Sequence, residues 1–333
     1  MTRADACTRA HLGRILVRPV TDNNWAHASR PIALGGFGLN SLACPAQASR
    51  LLGRAASSAI GALAAPRCSF ADHIINWLQT NPPEPPLADT TVHLHDSHDA
   101  HRLAAQSCDH AGAWIMGAAR GPTLFSDPLW RVAVAAWLGM EAPAGHTDCA
   151  QHTAHPQGLS RLGCKHANAP RIQRHEALAV QLVECASQAG IKCQREVRLT
   201  EASRERPGDI RFLLPGRSLL ADVTVTSPAN LVARHQHPLA PAAAAFDLKI
   251  AKYASQLQAA GIDNFTPLAV SAYGAWDSRS SKFLYDLSFA IARSTGSSPR
   301  VIALDLFGRL SAALWKGNAA MLLWDSPPRQ WVV

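Results

Sequence analysis

No run of about 18 or more apolar residues occurs in these 333 residues, so the sequence offers no helix able to cross a bilayer. Cysteine is sparse and scattered: the eight, at Cys7, Cys44, Cys68, Cys108, Cys149, Cys164, Cys185 and Cys193, lack the dense spacing of a disulfide scaffold. The N-terminal stretch lacks the charged-then-apolar order of a secretory signal. A reducing compartment, nuclear or cytoplasmic, is therefore expected. Gly35, Gly36 and Gly38 follow no suitable strand and are closed by no Lys-Ser/Thr pair. That argues against a phosphate loop and for a turn leading into an amphipathic helix through Leu42, Leu51 and Ile60.

What is present is a globular composition, 47% hydrophobic and 17% charged, with length enough for two cores. A net charge of +8 favours an acidic partner, nucleic acid before membrane.

The chain divides by composition. Residues 1–66 read as a helical segment and 67–102 as a linker, stiffened by Asn81-Pro82-Pro83-Glu84-Pro85-Pro86. His93, His95, His98 and His101, at the end of that linker, read as solvated side chains. Residues 103–145 are predicted helical, with Trp114, Trp130 and Trp137 on core faces. In 146–168, Cys149, His152, His155 and Cys164 offer the sulfur and imidazole that one tetrahedral Zn²⁺ takes. A degenerate zinc knuckle and a His-rich loop without metal are both open there.

Residues 169–333 are predicted to be an α+β domain. A helix over Pro170–Gly190 precedes a strand over Ile191–Leu199 bearing Glu196. Two apolar runs, Ile210–Leu214 and Ser218–Val225, then flank a Pro215-Gly216 break and read as a β-hairpin. A helix over Pro241–Ala260 follows, with Phe246, Ile250, Tyr253 and Leu257 as its core stripe and Lys249, Lys252 and Gln256 on another side. A strand over Pro267–Tyr273 and helices over Ser278–Thr295 and Pro299–Leu323 complete the chain.

The hairpin is the informative stretch. A turn at Pro215 to Arg217 sets Asp209 opposite Asp222 or Val223, and facing side chains on paired strands lie about 5 Å apart. Period-two alternation puts Asp222, Thr224 and Thr226 on one face and Ala221, Val223 and Val225 on the other. Two carboxylates at such range repel, and a divalent cation or a shared proton relieves them. Converging oxygen ligands suit Mg²⁺. Solvated aspartates at strand ends are the alternative.

This order, helix, three strands, helix, strand, with one acid opening the second strand and another on the third, resembles the restriction-endonuclease-like superfamily of nucleases. That family carries Pro-Asp, a spacer, then Asp/Glu-x-Lys. Pro207-Gly208-Asp209 stands for the first part with an inserted glycine, and Asp222-Val223-Thr224 for the second, with Thr224 in the lysine's place. More narrowly, the chain looks like the C-terminal region of non-LTR retrotransposon reverse-transcriptase polyproteins. Gly35-Gly36-Phe37-Gly38-Leu39, Cys149 to Cys164, Arg174-His175, Arg206-Pro207-Gly208-Asp209, Asp222-Val223-Thr224-Val225 and Lys249-Ile250-Ala251-Lys252-Tyr253 fall in that family's order. The fit is fair from about 170 to 260. The knuckle departs most, with His152 in place of Cys and Ser160 where a His precedes Cys164.

The resemblance implies an αβββαβ core with extra C-terminal helices and a metal-dependent endonuclease that nicks target DNA. Asp209 and Asp222 would hold Mg²⁺, with Glu196 or Glu176 as outer partners. Lys249 or Lys252 would replace the missing lysine, His175 would serve in the site or cap a core helix, and Arg174, Arg204 and Arg206 would hold flanking phosphates. The partners implied are DNA or RNA and a reverse transcriptase encoded in cis or in trans. No Tyr/Phe-x-Asp-Asp box occurs, so the chain does not copy nucleic acid by itself and reads as a fragment or a relic. A decayed nucleic-acid-binding module and a non-functional retroelement relic are the competing expectations.

Overall fold

The computed structural model describes residues 3–39, 97–116, 124–140, 162–163, 168–197, 208–227 and 240–323. It divides into two compact units, residues 1–32 with 36–93, and residues 33–35 with 94–333.

In the first unit, α1 (Arg3–Leu16) and α2 (Asp22–Ser29) are the described helices. Thr21 caps α2, its hydroxyl accepting from the Asn24 amide, as a residue with β-region backbone at an N-cap does. The glycine-rich stretch does form a turn, with Gly38 at φ 65°. The helix expected after it lies outside the described residues.

The second unit is α+β. Its described elements are helices α3 (Ser97–Gln106), α4 (Ala113–Met116), α5 (Asp127–Trp137) and α6 (Asn168–Gln188), then strands β1 (Lys192–Val197), β2 (Gly208–Leu214) and β3 (Arg217–Thr226). Helix α7 (Ala240–Ala259), strand β4 (Phe265–Ser271) and helices α8 (Ser278–Thr295) and α9 (Pro299–Leu323) follow. The sheet runs β1-β2-β3-β4, antiparallel through β3 and parallel between β3 and β4. A parallel pair needs a crossover, and α7 supplies it.

Each sheet face is covered. Ile210, Phe212, Ala221, Val223, Leu268 and Val270 pack against Leu178 and Leu182 of α6, Leu284 and Leu287 of α8 and Leu310 and Leu314 of α9. On the other face Leu220 packs with Tyr253 and Leu257 of α7, and Ala269 with Phe246. Ile250, expected in that stripe, is exposed instead. Helix α7 covers the sheet through the line of Phe246, Tyr253 and Leu257, and Ile250 falls off it.

Two expectations about organisation change. Helix α3 begins at Ser97, inside the segment read as linker, and His101 is buried rather than solvated. Nor do the tryptophan helices stand apart from the sheet. Trp114 of α4 stacks on Trp315 of α9 at 5.6 Å, and Trp137 of α5 meets Trp315 edge-on at 5.0 Å. All three rings are buried, so these helices share one core with the last helix of the sheet domain. Aromatic burial of this size dominates local packing.

Candidate functional site: an acid pair at the open end of the hairpin

The turn between β2 and β3 is two residues long. Leu214 pairs with Arg217, Pro215 presets one dihedral, and Gly216 takes φ 75°. The ladder then runs back to Ile210 opposite Ala221. One step further on the same register come Asp209 and Asp222.

At that step the regular pattern breaks. Glu196, on the neighbouring stretch of β1, has φ 50°, a left-handed conformation few non-glycine residues adopt. Cys193 packs with the α6-side core, yet Val197 packs on the α7 side beside Leu220. On β2, Ile210 faces α6, whereas a Cβ at Gly208 would run into the Leu220 side chain on the α7 side. The inserted glycine of the motif therefore lets β2 approach Leu220. The same irregularity brings the Asp209 carboxylate to the β3 backbone.

Asp209 Oδ2 accepts the Val223 backbone N–H at 2.6 Å, and His175 Nε2 of α6 lies 3.0 Å from the same oxygen and 3.1 Å from the Val223 carbonyl oxygen. The Leu220 amide, of even number, bonds toward β4, so the Val223 groups point to the β2 side. Two side chains thus do what a β2 residue would do. A carbonyl only accepts, so Nε2 carries the proton. His175 Nδ1 takes no hydrogen bond from the described residues.

Asp222 lies on the α7 side. Its Oδ2 pairs with Lys249 Nζ at 2.7 Å and accepts from Thr224 Oγ1 at 3.2 Å. Its side chain is 5% exposed, that of Lys249 28%. Thr224, which stands where the motif has lysine, thus supports the second acid. Its place two residues along the strand from Asp222 is the signal that could have assigned this role.

Burial pushes the Asp222 carboxyl up, Lys249 pulls it down, and the Asp209 charge adds to the rise; the net is above the ordinary value. Burial also acts on Asp209, but the His175 hydrogen bond and charge, the Val223 amide and Lys249 hold it below. The Asp209 hydrogen bond lifts His175 above its usual value against the cost of burial. Neighbouring carboxylates with opposed shifts are the pattern of a shared site. Their repulsion is relieved by Lys249 and His175.

The other expected residues divide between paired, exposed and buried positions. Lys252 is directed to Tyr253, bonding its hydroxyl at 3.0 Å and lying 4.6 Å from the ring centroid. Glu176 forms a two-oxygen ion pair with Arg195 of β1 at 2.7 and 2.8 Å, and Glu196 is exposed. Arg174 is not a surface phosphate ligand. It is 2% exposed, donates to Asn318 Oδ1 at 2.7 Å and to the Leu162 carbonyl at 3.1 Å, and burial lowers its pKa to about 10. Arg204, Arg206 and the four zinc candidates, Cys149, His152, His155 and Cys164, lie outside the described residues.

Among the described residues no group of three or more His, Cys, Asp or Glu side chains is gathered closely enough to hold a metal ion. The donor chemistry still fits Mg²⁺, which keeps several waters and takes one or two carboxylates. Oδ1 of Asp209 and Oδ1 of Asp222 accept no hydrogen bond from the described residues. No described helix is long and apolar enough to cross a membrane. Compared with known proteins, the chain matches no protein-family model and no curated protein.

Proposed function

We propose that the second unit is a restriction-endonuclease-like, metal-dependent DNA endonuclease domain derived from a non-LTR retrotransposon, acting in the nucleus or cytoplasm beside a reverse transcriptase supplied in cis or in trans. The observation that carries this is that Asp209 is bound to the Val223 amide, next in the chain to Asp222, which Lys249 pairs, and each acid keeps an Oδ1 that accepts no hydrogen bond from the described residues.

Asp209 and Asp222 would hold Mg²⁺ through those oxygens. The ion, when bound, lowers the pKa of a coordinated water toward neutrality. Lys249 is a point charge, part exposed, that neutralises Asp222 in the free protein and can stabilise negative charge on a phosphate in the site. His175 keeps Nε2 on Asp209, which fixes the ring and leaves Nδ1 to take or release a proton.

Supercoiled plasmid is the substrate for the test. Nicking with Mg²⁺, absent with EDTA and lost in Asp222→Ala while the fold is kept, supports the reading; nicking that survives the substitution sinks it. A second reading is a nucleic-acid-binding module that no longer hydrolyses. The Lys249–Asp222 ion pair and Thr224 in the lysine's place favour it, because the acids are already balanced without metal. Salt-sensitive DNA binding with no nicking by the wild-type protein would select it.

A further inference from the structure

Helices α8 and α9 are joined by the three-residue connection Gly296–Ser298, and each carries large exposed side chains, Tyr285 and Phe289 on α8 among them. Between the exposed ends of α8, Ser278 with Arg279 and Ser294 with Thr295, the exposed positions are Lys282, Tyr285, Phe289 and Arg293, a spacing of three and four that lines one side of a helix. Tyr285 is 40% exposed and Phe289 55%. Two large rings one turn apart on a well-packed helix are not explained by the core beneath, which Phe283, Leu284 and Leu287 already supply.

Tyr285 is also held in place. Its hydroxyl bonds His110 Nε2 at 2.6 Å, and its ring lies 5.3 Å from Phe307, on which His110 stacks at 3.8 Å. A ring fixed on two sides and open on another is a pre-organised stacking surface, with little freedom left to lose on binding.

The charges around it have one sign to spare. Lys282 is paired with Asp286, and Arg309 with Asp305. Arg293, in the last turn of α8, and Arg300, in the first turn of α9, are exposed and take no ion pair from the described residues. Exposed rings in line with Arg293, with Arg300 just past the connection, match the bases and phosphates of an unpaired strand, whereas duplex bases are hidden in their own stack.

We propose that this α8–α9 face binds single-stranded nucleic acid, with bases stacking on Tyr285 and Phe289 and phosphates held by Arg293 and Arg300. The inference does not rest on hydrolysis at the acid pair. Its test uses the full chain in EDTA, with fluorescence anisotropy of a thymidylate oligomer about 16 nucleotides long and of a duplex of the same length. Phe289→Ala weakens binding of the single strand roughly tenfold or more and leaves the duplex unaffected. Arg293→Gln with Arg300→Gln flattens the salt dependence of single-strand binding by about 1.4 in log–log slope, from two contacts at about 0.7 each. Unchanged single-strand affinity in Phe289→Ala overturns the proposal. So does equal loss on strand and duplex, or a self-associated chain that Phe289→Ala converts to monomer without loss of strand binding, which would make this face a contact between copies.

Discussion

His175 donates through Nε2 to the Asp209 carboxylate at 3.0 Å, and between them these two side chains satisfy both backbone groups that Val223 turns toward β2. The hairpin is opened at its far end by side chains rather than by a loop. Asp209 is therefore held at the β3 backbone while Asp222 stays under α7.

The pair titrates in a defined direction. His175 is raised in the fold, so the stability it contributes is fully present below its unfolded value of about 6.5 and is lost as pH rises through the raised folded value. Asp209 is depressed, so its contribution is present above its unfolded value and is lost as pH falls through the folded one. Asp209→Asn moves the His175 titration down in NMR. The stability lost in that variant is largest near about pH 5 to 6 and smaller by about pH 8.

Lys249 and Asp222 are coupled, and Lys252 is not part of that pair. A double-mutant cycle with Asp222→Asn and Lys249→Met, read by denaturant unfolding, gives about 1–2 kcal/mol of interaction, reduced from a fully buried pair because the lysine is part exposed. The same cycle with Lys252→Met gives less than about 0.5 kcal/mol.

Gly208 is needed for its missing side chain. Gly208→Ala drives a Cβ into Leu220, which is buried between β3 and α7, and costs about 1–3 kcal/mol by overpacking. Because Asp209 adjoins it, the His175 titration moves toward its ordinary value in the same variant.

Much of this domain was legible in local patterns. Pro215-Gly216 fixed the register to within one residue, and helices α8 and α9 begin and end where Ser278, Thr295, Pro299 and Leu323 place them. What pattern did not carry is what distant segments do to a side chain. Arg174 reads as a surface cation beside a histidine; its partner Asn318 lies 144 residues away and draws it inward. Lys249 and Lys252 differ by less than one helical turn, yet Lys249 reaches Asp222 while Lys252 bonds the Tyr253 hydroxyl, a difference the spacing alone does not carry. The left-handed Glu196 has no composition cue, so the break in alternation that redirects Asp209 was invisible.

The inward arginine yields its own check. Asn318→Ala removes the acceptor of a buried guanidinium and costs about 1.5–3 kcal/mol in unfolding free energy.

The central claim is that Asp209 and Asp222 present oxygens to one divalent ion, and Mn²⁺ titration followed by NMR reads it most directly. The account predicts that substoichiometric Mn²⁺ broadens the His175 ring protons and the Val223 and Thr224 amides, that Mg²⁺ competes the broadening away, and that either Asp209→Asn or Asp222→Asn removes it. Signals at those residues that stay sharp, or broadening untouched by both substitutions, would contradict it.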